Sequence, residues 1–237
     1  MTPYPQRALS VDDQETTAAL VEKHKLTFPV GYGADARAVA GLTGAFVNHS
    51  RFPAGYEEGH TPGLRLLRVA ARVRAEHGRS AVGPFYEAVS SEIFDAPGAA
   101  ELTPGTRGSR AFVEPLLAAA GLPAALSGAL DDPRWDEEIR AEGDEALLLT
   151  GRDVGTPIIH FGPPDGAAFF GPVISRLPSP DDAVRLWDHV TALAAFPGFA
   201  EFKRSLRERP QLRSFGVDPG TTGAEEDWHA GSRKAAP

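Results

Sequence analysis

The 237-residue chain contains no cysteine. Its absence excludes disulfide bridges, thiolate–zinc sites, iron–sulfur clusters and a cysteine nucleophile within these residues. Long apolar runs are also missing, since none approaches the ~18–20 residues that a membrane-spanning helix needs. The first residues, Met1-Thr2-Pro3-Tyr4-Pro5, lack the basic start and the apolar core of a secretory signal. We therefore expect a cytoplasmic protein with no membrane partner.

Basic residues are outnumbered: 24 Lys and Arg stand against 32 Asp and Glu, which gives a formal net charge of −8. Because phosphate neutralisation needs a basic face, this balance argues against nucleic acid as a partner. No HExxH sequence or paired-histidine spacing is present, so no metal site is predicted. The expected partner is a small molecule, and the sequence is also compatible with a homodimer.

The hydrophobic pattern changes twice along the chain. Residues 7–33 have the pattern of a strand, a helix and a second strand (Leu26–Val30), and residues 64–150 have that of about five helices. Pro157–Phe161 and Ala167–Gly171 then predict a β-hairpin, because the glycines and prolines between them favour a tight turn.

A last helix is predicted from Ala183 to about Phe196, capped by Asp181 or Asp182 and extended over Phe199–Arg209. This order of elements is that of an α/β thioredoxin-like fold with a four-stranded sheet and an inserted all-helical domain. We predict a discontinuous thioredoxin-like domain over residues 1–62 and 151–210 and a helical insertion domain over residues 63–150. Residues 211–237 are predicted to be a flexible tail.

Two short segments carry a family resemblance. Residues 153–160, DVGTPIIH, followed by residues 168–173, AFFGPV, resemble the DsbA-like thioredoxin superfamily. Within that superfamily the chain is similar to the mycothiol-dependent nitroreductase group of actinobacteria, over about residues 48–210. The resemblance implies a DsbA-like fold. It also implies mycothiol as an alternative cosubstrate, whereas the residues themselves indicate no cofactor.

The resemblance implies that Thr156–Pro157 is a cis-proline loop beside the active site. In the superfamily this loop offers its backbone to an extended substrate or thiol, so Thr156 and Pro157 are predicted to bind substrate. A cis X–Pro bond costs only about 0.5–1 kcal/mol, which makes such a loop accessible. The alternative is that Pro157 merely begins a strand, where proline is tolerated.

The chain departs from the family at the start of the first helix. Family members carry Cys-x-x-Cys there, where the helix N-terminus stabilises a thiolate. This chain has Asp12-Asp13-Gln14-Glu15 instead, and residues 9–47 resemble an internal piece of a peroxiredoxin-like protein. Because cysteine is absent, a dithiol–disulfide oxidoreductase is excluded, and carboxylates at this position would also repel the thiolate of a bound low-molecular-weight thiol. Asp12 and Ser10, the only hydroxyl near this corner, are predicted to contact substrate.

Histidines supply the remaining candidate chemistry. His49 and His60 fall in the hinge-like stretch between the two predicted domains, where ligands often enter. They are the candidate acid/base residues, with Asp13 as their partner. His160 is expected to be a core histidine bonded to backbone, and Phe169, Phe170 and Trp187 are expected in the core.

A row of arginines along the first inserted helix has two interpretations: a solvated face balanced by Glu76, or an anion site. The row consists of Arg65, Arg68, Arg72 and Arg74.

Three functions remain open on the sequence alone. The first is a non-redox enzyme that isomerises, cyclises or conjugates a small organic molecule, in specialised metabolism for example, in the cleft between the two domains. The second is a redox-dead binding or scaffold protein. The third is a mycothiol-dependent oxidoreductase or transferase in which the thiol arrives as a cosubstrate.

Overall fold

The structure is a computed structural model that describes most of the chain from residue 56 onward. The backbone is described for residues 8–10, 30–32, 56–151, 154, 157–229 and 232–233, and side chains for residues 61–151, 154 and 157–227. Two compact units are present: unit 1 comprises Met1–Tyr32 and Leu148–Pro237, and unit 2 comprises Gly33–Leu147, as far as each is described. The predicted domain limits stay predictions, because residues 33–55 lie outside the described part.

Helices dominate residues 56–150, as the periodicity predicted. The α-helices of the described residues are α1 (Tyr56–His77), α2 (Val82–Ser90), α3 (Pro104–Arg107), α4 (Arg110–Ala119), α5 (Asp136–Thr150) and α6 (Pro180–Ala194). Shorter helical turns connect several of them, the longest being the 3-10 segment Ala124–Asp131. Side-chain caps explain where several helices begin: the Ser109 hydroxyl accepts from the Phe112 amide at 3.2 Å, and Ser179 accepts from Asp182 at 3.3 Å. The cap of α6 is therefore Ser179, and not Asp181 or Asp182 as predicted.

The strands are short and form three small sheets. They are β1 (Ala8–Ser10), β2 (Val30–Tyr32), β3 (Ile158–His160), β4 (Ala168–Phe170), β5 (Leu206–Glu208), β6 (Glu225–His229) and β7 (Ser232–Arg233). Strands β1 and β2 pair in parallel, β3 and β4 form the predicted antiparallel hairpin, and β6 pairs with both β5 and β7. The expected four-stranded sheet is not seen among the described strands. What is shown is a helix-rich α/β chain with small sheets.

The core of unit 2 is built from apolar residues of several helical segments, and on the α-helices their four-residue spacing places them on one face. Its largest fully buried apolar side chains come from α1, α4 and the 3-10 segment: Val69, Val73, Val113, Leu117, Leu126 and Leu130. Phe85 of α2 packs into the same cluster. This core joins α1, α2, α4 and the 3-10 segment.

The arginine row on α1 binds carboxylates within unit 2. Arg68 donates to both oxygens of Asp136, at 2.6 and 2.8 Å, and to the Leu130 carbonyl at 3.1 Å. The Asp136 contacts raise the pKa of the Arg68 guanidinium above its ordinary value, although burial acts against them. Arg74 pairs with Glu138 and Glu142 of α5.

The other two arginines of the row, Arg65 and Arg72, are also engaged. Arg65 contacts Asp131 at 2.5 Å, and Arg72 contacts Glu76 at 2.7 Å and the Ala125 carbonyl at 2.9 Å. The predicted balance by Glu76 is confirmed for Arg72. The arginines bind groups between residues 125 and 142 and so hold α1 against these segments. Because their guanidinium groups are used in this way, the row is not an anion site.

Unit 1 contains the β3–β4 hairpin and α6. Gly166 is required in the turn, because a Cβ at this position would lie 1.6 Å from the Phe161 carbonyl oxygen. The chain leaves α6 through Pro197 and Gly198, where φ is +80°. This break explains why the predicted extension of the last helix over Phe199–Arg209 is wrong: the segment is non-helical and ends in β5. Strand β5 pairs with β6, which lies within residues 211–237. The sequence predicted a flexible tail there and no strand.

Removing the Arg68 guanidinium should destabilise unit 2. Arg68 and Asp136 are only 15% and 20% exposed, so Arg68→Ala leaves a largely buried carboxylate without its partner. We expect a loss of about 2 kcal/mol in the free energy of unfolding by urea, and a smaller loss for Arg68→Lys, which keeps the charge but not the two-pronged contact. Arg185→Ala, which removes an exposed arginine of α6, is the control and should change stability by less than about 0.5 kcal/mol. Equal losses for Arg68→Ala and Arg185→Ala would contradict this role.

Candidate functional site

A pocket of about 1120 Å³ lies within unit 1. Its lining comes from the end of α5, strand β4, the segment after β4, the last turns of α6 and residues 199–208. Large apolar side chains that the described part of the chain leaves exposed also concentrate here, and several line the pocket: Leu149, Val173, Ile174, Leu193, Phe202 and Leu206. Apolar surface that stays in contact with water favours a ligand that covers it.

Aromatic rings form one wall of the pocket. The ring of Phe169 on β4 lies 5.5 Å from that of Phe199, and Phe199 lies 5.2 Å from Phe202. On the other side, Phe161 contacts Phe169 edge-on at 6.3 Å and stacks on Trp187 of α6 at 5.8 Å. The Phe161–Trp187 contact packs α6 against the hairpin, and the hairpin in turn positions Phe169 in the wall.

Charged side chains also line the pocket. Among the residues that the structure describes, four are cationic and two are carboxylates: Arg176, Lys203, Arg204 and Arg207, with Glu201 and Glu208. Two of the cations bind carboxylates, since Arg176 contacts Glu208 at 2.6 Å and Arg204 contacts Glu225 at 2.9 Å. For Lys203 no ion pair or hydrogen bond occurs with the residues that the structure describes. The lining therefore carries more positive than negative charge, in a chain of net charge −8.

Two lining segments are joined by a set of contacts that we call the Ser175–Gln211 junction. The Ser175 hydroxyl donates to the Glu208 carbonyl at 2.7 Å, and the Gln211 amide donates to the Ser175 carbonyl at 2.8 Å. The Leu177 amide donates to the Gln211 side chain at 3.1 Å. Arg176 completes the junction through two hydrogen bonds to the Glu208 carboxylate, both at 2.6 Å. The junction fixes β5 beside the segment that follows β4.

The Arg176–Glu208 pair changes the titration of both groups. Hydrogen bonds from Arg176 lower the pKa of the Glu208 carboxyl below its ordinary value, burial opposes them, and the charges of Arg176 and Arg204 add to the lowering. The pKa of Arg176 is raised by the same hydrogen bonds. Glu208 is therefore a carboxylate at neutral pH, held as a structural anion.

The predicted site residues are only partly described. Ser10 lies in β1 and His60 in α1, with the backbone described but not the side chains. Asp12, Asp13, His49 and Thr156 lie outside the described residues, and their predicted roles stay predictions. The Pro157 carbonyl accepts from the Gly171 amide at 2.8 Å, which places Pro157 next to the β3–β4 hairpin.

The predicted cis bond before Pro157 falls on Thr156 and so lies outside the described residues. Within the described part, cis bonds precede Pro164 and Pro172. His160 of β3 contacts the Gly166 carbonyl through Nε2 at 3.0 Å, and Nε2 must donate because a carbonyl only accepts. This contact confirms that the histidine bonds to backbone, but His160 is half-buried, so its predicted place in the core is wrong.

Sequence reasoning missed the residues that make the pocket. Phe169 and Phe170 were expected in the core, but both are half-buried and line the pocket. Phe199 and Phe202 were assigned to a helix, because their three-residue spacing fits one. The signal that could have found them is the pair Pro197-Gly198, because proline and glycine are strong helix breakers.

The described residues were also considered for metal binding and for membrane insertion. In that part of the chain, no group of three or more His, Cys, Asp or Glu side chains is placed to hold a metal ion. Likewise, none of the helices described there is long and apolar enough to cross a membrane.

The ion pair of the junction predicts a pH dependence. Because the pKa of Glu208 is lower in the folded protein than its ordinary value of 4.5, the ionised carboxylate favours the folded state. This contribution is complete above the unfolded-state pKa and disappears as the pH falls through the folded-state pKa. Glu208→Gln should therefore lower the urea midpoint at about pH 7 and have progressively less effect below about pH 4.

A double-mutant cycle controls this experiment. Arg176→Ala should lower the midpoint at about pH 7 by a similar amount, and adding Glu208→Gln to it should change little more. A carboxyl-carbon NMR titration of Glu208 gives a second readout, with a midpoint below the ordinary value. A midpoint above it, or additive effects of the two substitutions, would show that the pair is not coupled.

Comparison with known proteins identifies the family. A family model described as "Rv2466c-like: Mycothiol-dependent nitroreductase Rv2466c" matches residues 41–204. The chain is also 29% identical, over 150 residues, to the uncharacterized protein Rv2286c of Mycobacterium tuberculosis (strain ATCC 25618 / H37Rv). That alignment covers 63% of this chain and 60% of the relative, so the chain spans about 60% of the length of the curated relative it matches. Because the family model covers more than half of its length, the chain belongs to the Rv2466c-like family of mycothiol-dependent nitroreductases.

Proposed function

We propose that the protein binds a small organic molecule in the unit 1 pocket and acts on it by non-redox chemistry. The reaction classes are isomerisation, cyclisation and conjugation. One observation carries the proposal: a chain of this family has an aromatic-walled pocket of about 1120 Å³ but no cysteine among its 237 residues. A pocket in a chain without a thiol favours a function that depends on binding and not on sulfur exchange.

The absence of cysteine excludes thiol redox chemistry that uses the protein's own residues. Thiol–disulfide exchange by the protein itself needs a thiolate on the protein, which attacks a sulfur of the disulfide and releases the other sulfur as a thiolate. None of the 237 residues supplies one. The three acidic residues at the predicted helix start, Asp12, Asp13 and Glu15, would in addition repel an incoming thiolate.

The pocket offers the groups that non-redox chemistry needs. A ligand that covers the apolar wall displaces water from it, which strengthens electrostatic contacts to the bound molecule. Glu201 and Lys203 line the same pocket and are of types that transfer protons. Glu208 is less suited to this role, because its pairing with Arg176 keeps it ionised.

The residues predicted from the sequence stay part of the proposal. They are His49, His60 and Asp13 as acid/base groups, and Thr156, Pro157, Asp12 and Ser10 as substrate contacts.

Membership of the family favours a second candidate, a mycothiol-dependent oxidoreductase or transferase that takes its thiol from solution. The described pocket fits mycothiol poorly. A sugar-bearing thiol needs many hydrogen-bond partners, whereas Phe, Leu, Val and Ile supply about half of the lining residues and the Arg176–Glu208 pair occupies two of its charged groups. We therefore rank this candidate second and assign no step to the thiol.

The binding part of the proposal is tested with N-phenyl-1-naphthylamine, a neutral aromatic probe that fluoresces when it enters an apolar site. We expect one saturable site, and about tenfold weaker binding to Phe169→Ala, because the substitution removes part of the aromatic wall. Phe196→Ala is the matched control, since Phe196 is 68% exposed in the same unit and does not line the pocket. Equal effects of the two substitutions, or no saturable binding, would contradict the proposed site.

The redox part is tested with mycothiol and nitrobenzene. We expect no nitrobenzene reduction beyond that of mycothiol alone, and no saturable mycothiol binding by calorimetry. Protein-dependent reduction that saturates with mycothiol would overturn the non-redox assignment in favour of the second candidate.

A further inference from the structure

We infer that the unit 1 pocket takes a multi-ring aromatic anion, with its rings against Phe169, Phe199 and Phe202 and its acidic group at Lys203. This inference rests on the proposed function and narrows it to one ligand class. Aromatic carboxylic and sulfonic acids of two or three rings are the members that we consider.

The aromatic wall favours a flat ring system as the apolar part of the ligand. Phe169, Phe199 and Phe202 follow one another at centroid distances of 5.5 and 5.2 Å with tilted planes. Phe202 is nevertheless 81% exposed, so most of its ring still faces water. Aromatic rings gain free energy from each well-oriented ring contact beyond the area that they bury. A flat ligand gains this contact, and an alkyl chain does not.

The volume of the pocket favours more than one ring. Ligand pockets usually measure about 300–1,000 Å³, and this one is about 1120 Å³. A single-ring molecule would leave much of the apolar lining in contact with water. A ligand of two or three rings covers more of the apolar lining. This lining includes Ile174 and Leu206 in addition to the aromatic wall.

The charge of the lining favours an anion. Among the described cations that line the pocket, Arg176 is bound by Glu208 and Arg204 by Glu225, which neutralises both, and Arg207 donates to the Arg204 carbonyl at 3.0 Å. Lys203 follows Phe202 directly in the chain and has no carboxylate partner among the residues described. A ligand carboxylate or sulfonate at Lys203 supplies that partner. It also places the polar end of the ligand at the exposed end of the aromatic wall.

The experiment compares two probes that differ in one charged group. The anionic probe 8-anilino-1-naphthalenesulfonate and the neutral probe N-phenyl-1-naphthylamine share the same ring system. For the intact chain at low salt, we expect the anionic probe to bind at one site and more tightly than the neutral one. Lys203→Gln should weaken the anionic probe about fivefold and leave the neutral probe unchanged.

Two controls separate the contact from general effects. Arg185→Gln removes a cation of α6 that does not line the pocket, and it should change neither affinity. Raising the salt concentration to about 0.5 M should reduce the Lys203→Gln effect, since an exposed ion pair is screened. Near-ultraviolet circular dichroism of each variant shows whether tertiary packing is retained.

The outcomes distinguish this inference from the proposed function. If the neutral probe binds as tightly as the anionic one, and Lys203→Gln affects neither, the pocket stands but the anion assignment is wrong. If decanoate displaces the anionic probe at lower concentration than 1-naphthoate does, the ligand is an aliphatic acid and the aromatic assignment is wrong. If neither probe binds at one site, the proposed function itself fails.

Discussion

The unit 1 pocket depends on the Ser175–Gln211 junction, where backbone hydrogen bonds and the Arg176–Glu208 ion pair join two lining segments. Neither segment belongs to a long regular element: one follows the three-residue strand β4, and the other contains the three-residue strand β5. Strands this short supply few ladder hydrogen bonds, so side-chain contacts must hold the segments together. The junction thereby fixes one side of the pocket. The stacking of Phe161 on Trp187, which packs α6 on the hairpin, fixes another.

The two units use their apolar and charged residues differently. In unit 2 the apolar side chains are buried, and the arginines of α1 are bound to carboxylates as far as the second turn of α5. In the described part of unit 1, aromatic and aliphatic side chains remain accessible around the pocket, and Lys203 has no described partner. Unit 2 thus has the features of a stable, well-packed unit, whereas the described part of unit 1 has those of a binding surface. This contrast is the physical basis for placing the function in unit 1.

The sequence predicted the features that depend on local pattern. The β3–β4 hairpin follows from two apolar runs around Gly162 and Gly166, and the family follows from a few short motifs in the right order. Features that depend on distant partners could not be predicted. Asp136 lies 68 residues from Arg68, so no local pattern reveals that the arginine row binds α5. The aromatic wall was missed for a different reason: Phe199 and Phe202 have helical spacing, but Pro197 and Gly198 end the helix before them.

The central claim is that this cysteine-free member of a thiol-dependent family binds an aromatic molecule in unit 1. It is tested most directly by nuclear Overhauser effects between 8-anilino-1-naphthalenesulfonate and a protein labelled at phenylalanine. We expect contacts from the probe to the rings of Phe169, Phe199 and Phe202. No contact is expected to the rings of Phe85 and Phe112 in the core of unit 2. Contacts confined to Phe85 and Phe112, or contacts spread over all labelled rings, would contradict it.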